Sequence, residues 1–135
     1  MRSKIWLFLA AGWMFFIGIF RGAGGLLLII RGRDLPTPLP ITGSPTHVLL
    51  GGIILAMVSI FLSIAALFLW RKMQLPAWTM CRWALITFLA GGMLNGYLLF
   101  GNPQMQGQTI NFIAVIVPYL FLHLGKPAME SDQVP

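Results

Sequence analysis

The sequence predicts an all-α integral membrane protein, a bundle of four transmembrane helices, and three observations carry that prediction. The 135-residue chain is 58% hydrophobic and only 9% charged, whereas about 25% of the residues of an average soluble domain are charged. Its apolar residues form four long runs, without the alternation of polar and apolar residues that the strands of a membrane barrel show. The pieces between these runs are far shorter than the roughly 40 residues below which a chain seldom folds alone. Together these features exclude a soluble globular protein.

The four predicted spans differ in length. They cover residues 5–30, 48–70, 77–100 and 110–124. A hydrocarbon core about 30 Å thick takes about 20 helical residues to cross, so the first three runs suffice and the fourth is about one turn short. Pro118 lies within the fourth run and has no N–H, which leaves the carbonyl of Ala114 without its helical donor. We treat residues 1–126 as one domain and expect residues 127–135, which lack apolar periodicity, to form a disordered cytoplasmic tail.

The first span has a second interpretation, as a secretory signal peptide. Basic residues precede it, and Ala23 supplies a small residue of the kind found at cleavage sites. However, the apolar run from Ile5 to Phe20 has 16 residues, which is longer than the about 7 to 15 residues of a signal peptide. The sequence therefore favours a retained helix, while cleavage would leave three spans.

Basic residues predict the orientation of the chain. Nine Lys and Arg residues against three Asp and Glu residues give a net charge of +6. Six of the nine fall on one predicted side of the membrane, namely Arg2, Lys4, Arg71, Lys72, Arg82 and Lys126. Because cytoplasmic loops are enriched in Lys and Arg, we expect both termini in the cytoplasm, with the chain in a plasma or inner membrane. The positive charge follows the membrane topology, so nucleic acid is not an expected partner.

Small residues recur at helical spacing on the first three spans and predict the faces on which the helices pack. These residues are Gly18, Gly22, Gly25, Gly52, Ala56, Ser59, Ser63, Gly92 and Gly96. Lipid offers no hydrophobic driving force between helices, so close backbone approach at small residues must hold them together. Such faces hold the chain's own helices together or dock a second subunit, and the sequence leaves both open.

Arg21 is the most informative residue of the chain. At about 1.5 Å per residue it lies about 24 Å from Ile5, and therefore about 6 Å inside the far edge of the hydrocarbon. A charged side chain at mid-bilayer costs roughly 2.5 to 3.5 kcal/mol and marks a functional hypothesis, although a long side chain near the edge can snorkel outward.

Four further polar residues are expected in the same outer third of the bundle. With Arg21 they form a predicted ligand-binding cluster of Arg21, Asp34, His47, Asn95 and Asn111. An arginine with amide neighbours suits an anionic headgroup or a small carboxylate. The alternative is structural, with Arg21 paired to Asp34 or to the asparagine amides.

Signatures of catalysis and metal binding are missing from the sequence. No acidic residue lies in any span, so paired carboxylates and proton relays are absent. His47 and His123 fall at opposite ends of their spans and cannot ligate one haem, and neither has a metal-binding partner at the usual spacing. The four-span plan resembles the small multidrug transporters, which use a glutamate of the first span that this chain lacks. We therefore expect no enzyme, no cofactor and no metal.

The sequence as a whole predicts a non-catalytic membrane protein, an accessory or scaffolding subunit that packs through its glycine-rich helix faces. Its expected partners are the lipid bilayer and either a second copy or a larger membrane complex. The alternative function is binding or translocation of a lipid, small amphiphile or anion through the outer polar cluster around Arg21.

Overall fold

The computed structural model describes residues 2–35, 41–101 and 105–133, with side chains over 4–32, 34–35, 41–101 and 109–127. Its elements are α1 (Arg2–Arg31), a 3-10 turn (Gly32–Asp34), α2 (Pro45–Arg71), α3 (Leu75–Phe100) and α4 (Met105–Gln133). All four α-helices contain a segment long and apolar enough to cross a membrane. The prediction of an all-α chain with four such helices is confirmed.

The fourth helix is longer than the sequence predicts. Its segment of membrane-crossing length and composition, Thr109–Pro127, has 19 residues, against the 15 of the predicted span 110–124. The backbone hydrogen bonds of a helix continue through polar residues, so α4 extends past both ends of that span. Residues 127–133, expected to be disordered, are helical in backbone, in keeping with the strong helix formers Ala, Met and Glu that follow Pro127. Residues 134–135 lie outside the described residues.

The four α-helices form a ring in chain order. α1 packs against α2 and α4, and α3 packs against the same two helices. Within the described ranges the diagonal pairs, α1 with α3 and α2 with α4, make no close backbone approach. The core between them is apolar and includes Leu7, Met14, Leu62, Leu85, Phe88 and Leu122.

The two ends of the bundle differ in charge. At one end, which we call the basic end, α1 begins and α2 stops at Arg71, with Lys72 next in the chain. Lys126 of α4 lies at the same end, where its Nζ is 4.9 Å from the centre of the Trp78 ring. The Trp78 indole also donates a hydrogen bond of 2.7 Å to Leu122 O, which joins α3 to α4.

Local chemistry at the opposite end fixes where the helices start and stop. Ser44 caps α2, accepting a hydrogen bond of 3.2 Å from His47 N, and Pro45 occupies the first helical position. Gly101 ends α3 in the left-handed conformation, with φ of 77°. The N–H of Gly43 donates to Leu99 O at 2.9 Å, which ties the segment before α2 to the end of α3.

The exterior of the bundle is apolar on every helix. Its most exposed large hydrophobic side chains include Phe16, Phe20, Ile30, Met57 and Ile110. A soluble monomer seldom exposes contiguous apolar patches above a few hundred Å². An exterior of this composition suits hydrocarbon, as a multi-pass membrane protein requires.

Candidate functional site

Small residues on both helices form the α1–α2 interface. A Cβ added to Gly25 would lie 2.8 Å from Ala56 N, and one added to Gly18 would overlap Ser63 Oγ. Seven of the small residues singled out in the sequence lie in this interface: Gly18, Gly22, Gly25, Gly52, Ala56, Ser59 and Ser63. At Gly25 the nearest atoms are backbone, and at Gly18 and Gly22 the nearest atom belongs to a small serine side chain, so the two helices approach closely enough to gain dispersion energy. These faces are therefore filled within the chain.

Glycines of α3 leave room for side chains of its two neighbours. A Cβ added to Gly92 would lie 3.1 Å from Asn111 Nδ2 of α4, and one added to Gly91 would lie 2.9 Å from Val58 Cγ1 of α2. Gly96, one turn further along α3, is buried. The space at Gly92 admits the Asn111 side chain between α3 and α4.

Arg21 and Asn111 meet between α1 and α4. The guanidinium Nη2 of Arg21 donates a hydrogen bond of 2.9 Å to Asn111 Oδ1, and Arg21 is half-buried. A guanidinium has five N–H donors, and this is the one hydrogen bond that the described residues provide for it. No ion pair joins Arg21 to a carboxylate in those parts of the chain. All three acidic residues of the sequence lie outside the four membrane-length segments: Asp34, Glu130 and Asp132.

The neighbouring helices give the height of Arg21 within the bundle. The next residue, Gly22, faces Ser59, since a Cβ added to it would lie 3.5 Å from Ser59 Cβ. Ser59 stands 14 residues after the first residue of α2 and 12 before the last, so it is about 21 Å from one end of that helix and about 18 Å from the other. Arg21 is therefore level with the middle of α2, while its partner Asn111 is the third residue of the apolar segment Thr109–Pro127 of α4.

The helices do not all start at one level. In the bundle, Gly12 faces the Trp70 ring near the end of α2, at 3.5 Å from a Cβ added to the glycine. The first turns of α1 therefore extend past α2 at the basic end.

The other three members of the predicted polar cluster do not join Arg21. Asn95 Nδ2 donates a hydrogen bond of 2.7 Å to Gly51 O and so links α3 to α2. Asp34, in the 3-10 turn, and His47, in the first turn of α2, are both exposed. Arg21 precedes the end of α1 by ten residues, about 15 Å of helix, which keeps its side chain away from Asp34.

Ser59 is a polar residue whose significance the sequence did not reveal. Its side chain is fully buried, and its Oγ has no hydrogen-bond partner among the described residues. Buried hydroxyls of this kind are few in native structures. The helical spacing of the small residues on α2 predicts that Ser59 packs against another helix. Only the tertiary structure shows that Ser59 lies opposite Gly22, and therefore that its hydroxyl is level with Arg21.

A guanidinium with spare donors in an apolar bundle can bind the oxygen atoms of a phosphate or carboxylate, because charge-assisted hydrogen bonds are strong where water is scarce.

No group of three His, Cys, Asp or Glu side chains that could hold a metal occurs among the described residues. No protein-family model, curated protein or solved structure matches this chain.

Proposed function

We propose that this chain is a non-catalytic multi-pass membrane protein that binds an anionic amphiphile at Arg21, with both termini in the cytoplasm. The orientation rests on the concentration of Lys and Arg at the basic end, which the positive-inside rule assigns to the cytoplasm. The chemistry rests on the side-chain arrangement around Arg21 between α1 and α4. The apolar exterior supplies the route by which an amphiphile reaches the helices from the bilayer.

One observation carries the proposal, namely the unneutralised charge of Arg21. Its partner Asn111 is a neutral amide, which satisfies one donor but supplies no negative charge. Charged side chains in membrane helices pair with one another or mark a ligand site, and this chain has no acidic residue in any of its four membrane-length segments. An anionic headgroup would supply both the counter-charge and the missing hydrogen-bond acceptors.

The hypothesis of an accessory subunit stays a prediction, with fewer surfaces available to a partner. The glycine faces of α1 and α2 are filled within the chain, so a partner subunit would have to bind the apolar exterior instead. Native mass spectrometry of the protein extracted gently from its own membrane separates the two functions. A stoichiometric foreign subunit favours the accessory role, and a repeatable small anionic amphiphile favours binding at Arg21.

Binding is tested with purified protein in a non-ionic detergent, titrated with dodecyl phosphate and, as the uncharged control of equal chain length, with dodecanol. The proposal predicts that dodecyl phosphate binds and dodecanol does not. Arg21→Gln should weaken binding by about 10- to 150-fold, the equivalent of the roughly 1.5–3 kcal/mol of a hydrogen bond to a charged group. Arg82→Gln removes an exposed positive charge on a different helix, α3, and should leave the dissociation constant for dodecyl phosphate unchanged.

A second variant, Asn111→Asp, separates ligand binding from folding. The new carboxylate would neutralise Arg21 inside the chain, so binding should be lost while the helical circular dichroism and thermal stability are kept or raised. The proposal is refuted if Arg21→Gln binds dodecyl phosphate as the wild type does, or if dodecanol binds equally well.

A further inference from the structure

An apolar groove runs along the outer surface of the α1–α2 pair, on the side of α1 opposite to Arg21. It encloses about 470 Å³. Its walls are large apolar side chains of both helices, among them Phe15, Ile19, Leu26, Ile60, Ile64 and Leu67. Gly18 and Gly22 have no side chains, so the floor of the groove at these positions is the backbone of α1.

The groove matches one leaflet of a bilayer in length. It extends from Phe15 to Leu26 on α1 and from Ala56 to Leu67 on α2, which is about 16 Å of helix on either side. Half of a hydrocarbon core about 30 Å thick is about 15 Å. Ala56 is near the middle of α2 and Leu67 is one turn from its end, so along α2 most of the groove lies in the half nearer the basic end.

The lining of the groove indicates its occupant. Apart from the hydroxyl of Ser63, its walls are apolar side chains of α1 and α2 that offer no hydrogen-bond partner. An acyl chain needs none, and a single chain can lie along the groove over its whole length.

Two cations lie at the end of the groove. Arg71 follows Leu67 by four residues and therefore projects from the same face of α2. With Phe68 and Lys72 it lines a second cavity of about 200 Å³. Both basic side chains are exposed, and neither forms an ion pair within the described part of the chain.

We infer that the groove and its basic mouth, formed by Arg71 and Lys72, hold one anionic phospholipid of the leaflet on that side. One acyl chain lies along the groove, and the phosphate lies between the two cations. This site is separate from Arg21, which contacts Asn111 of α4, whereas the groove lies between α1 and α2. It does not depend on the function proposed above.

The test uses the full chain in nanodiscs of equal parts phosphatidylcholine and phosphatidylglycerol, followed by native mass spectrometry of the released protein. The wild type should retain one phosphatidylglycerol per chain in preference to phosphatidylcholine. Arg71→Gln with Lys72→Gln should reduce that preference by about 30-fold, the effect of two basic residues at a membrane surface. Arg82→Gln with Arg31→Gln, which removes two exposed charges elsewhere, should preserve it.

Filling the groove provides an independent variant. Ala23 lines it, and Ala23→Leu should abolish retention of either lipid, whereas Ala90→Leu, at an exposed alanine of α3, should not. Arg21→Gln should leave the phosphatidylglycerol adduct intact. The inference is overturned if the variant Arg71→Gln with Lys72→Gln and the variant Ala23→Leu both retain the lipid as the wild type does. It is also overturned if the control variants lose the lipid equally, or if the wild type emerges as a lipid-free dimer.

Discussion

Gly25 and Gly24 are neighbours on α1 that the structure places in opposite environments. A Cβ added to Gly25 would lie 2.8 Å from Ala56 N and 2.9 Å from Gly52 O, whereas one added to Gly24 would meet nothing within 4 Å. The same substitution, glycine to alanine, therefore has opposite consequences at adjacent positions. At Gly25 the obstructing atoms are backbone and cannot rotate away.

The size of the effect follows from this geometry. Favourable contacts to carbon begin near 3.5 Å, so Gly25→Ala forces α1 and α2 apart by about 0.7 Å over that turn. Overpacking of this kind destabilises by about 1–3 kcal/mol. Both variants share the gain of about 0.5–1 kcal/mol from replacing a helical glycine with alanine. Their difference in free energy of unfolding therefore isolates the steric contribution, at about 1–3 kcal/mol.

The assay is reversible unfolding in mixed micelles with increasing sodium dodecyl sulfate, monitored by tryptophan fluorescence and helical circular dichroism. Gly24→Ala should be as stable as the wild type or more stable, and Gly25→Ala should be the less stable of the two variants. Equal stability of the two would refute the close backbone approach of α1 and α2. A change of oligomeric state in Gly25→Ala would instead assign this face to a second subunit.

Two further predictions concern side-chain contacts to backbone carbonyls between helices. Trp13 Nε1 donates a hydrogen bond of 3.0 Å to Ala114 O, the carbonyl that Pro118 leaves without a helical donor, so Trp13→Phe should destabilise by about 0.5–1.5 kcal/mol. The loss should be smaller in a Pro118→Ala background, where the new N–H satisfies the same carbonyl; equal losses in a double-mutant cycle would contradict this reasoning. Cys81 is buried, with its Sγ 3.2 Å from Ala65 O, so a maleimide should modify it only as fast as the bundle opens. Rapid modification under native conditions would show that the α2–α3 contact is looser than described.

The candidate site illustrates what can be inferred without a fold and what cannot. Arg21 stood out from the sequence because a charge inside an apolar helix is costly wherever the helix packs. The choice of Asn111 as its partner, over Asp34 or Asn95, depends on which helix faces α1 and at what height. Residue counting could not supply that height, because α1 extends past α2 at the basic end.

The sequence by itself determined the class of protein. Four apolar runs and a small fraction of charged residues admit only long helices, because hydrocarbon leaves backbone polar groups no partner but one another. It also identified the small residues at which helices approach and the carbonyl that Pro118 frees.

Only the tertiary structure decided which helix contacts the small-residue faces, the free carbonyl of Ala114 and Arg21. The packing of α1 on α2 filled the glycine faces within the chain, and Trp13 of α1 took the free carbonyl of Ala114. The same packing left an apolar groove on one side of α1 and the Arg21–Asn111 pair on the other. Helical periodicity specifies a face along one helix, whereas the partner of that face is set by the relative height and rotation of two helices far apart in the chain.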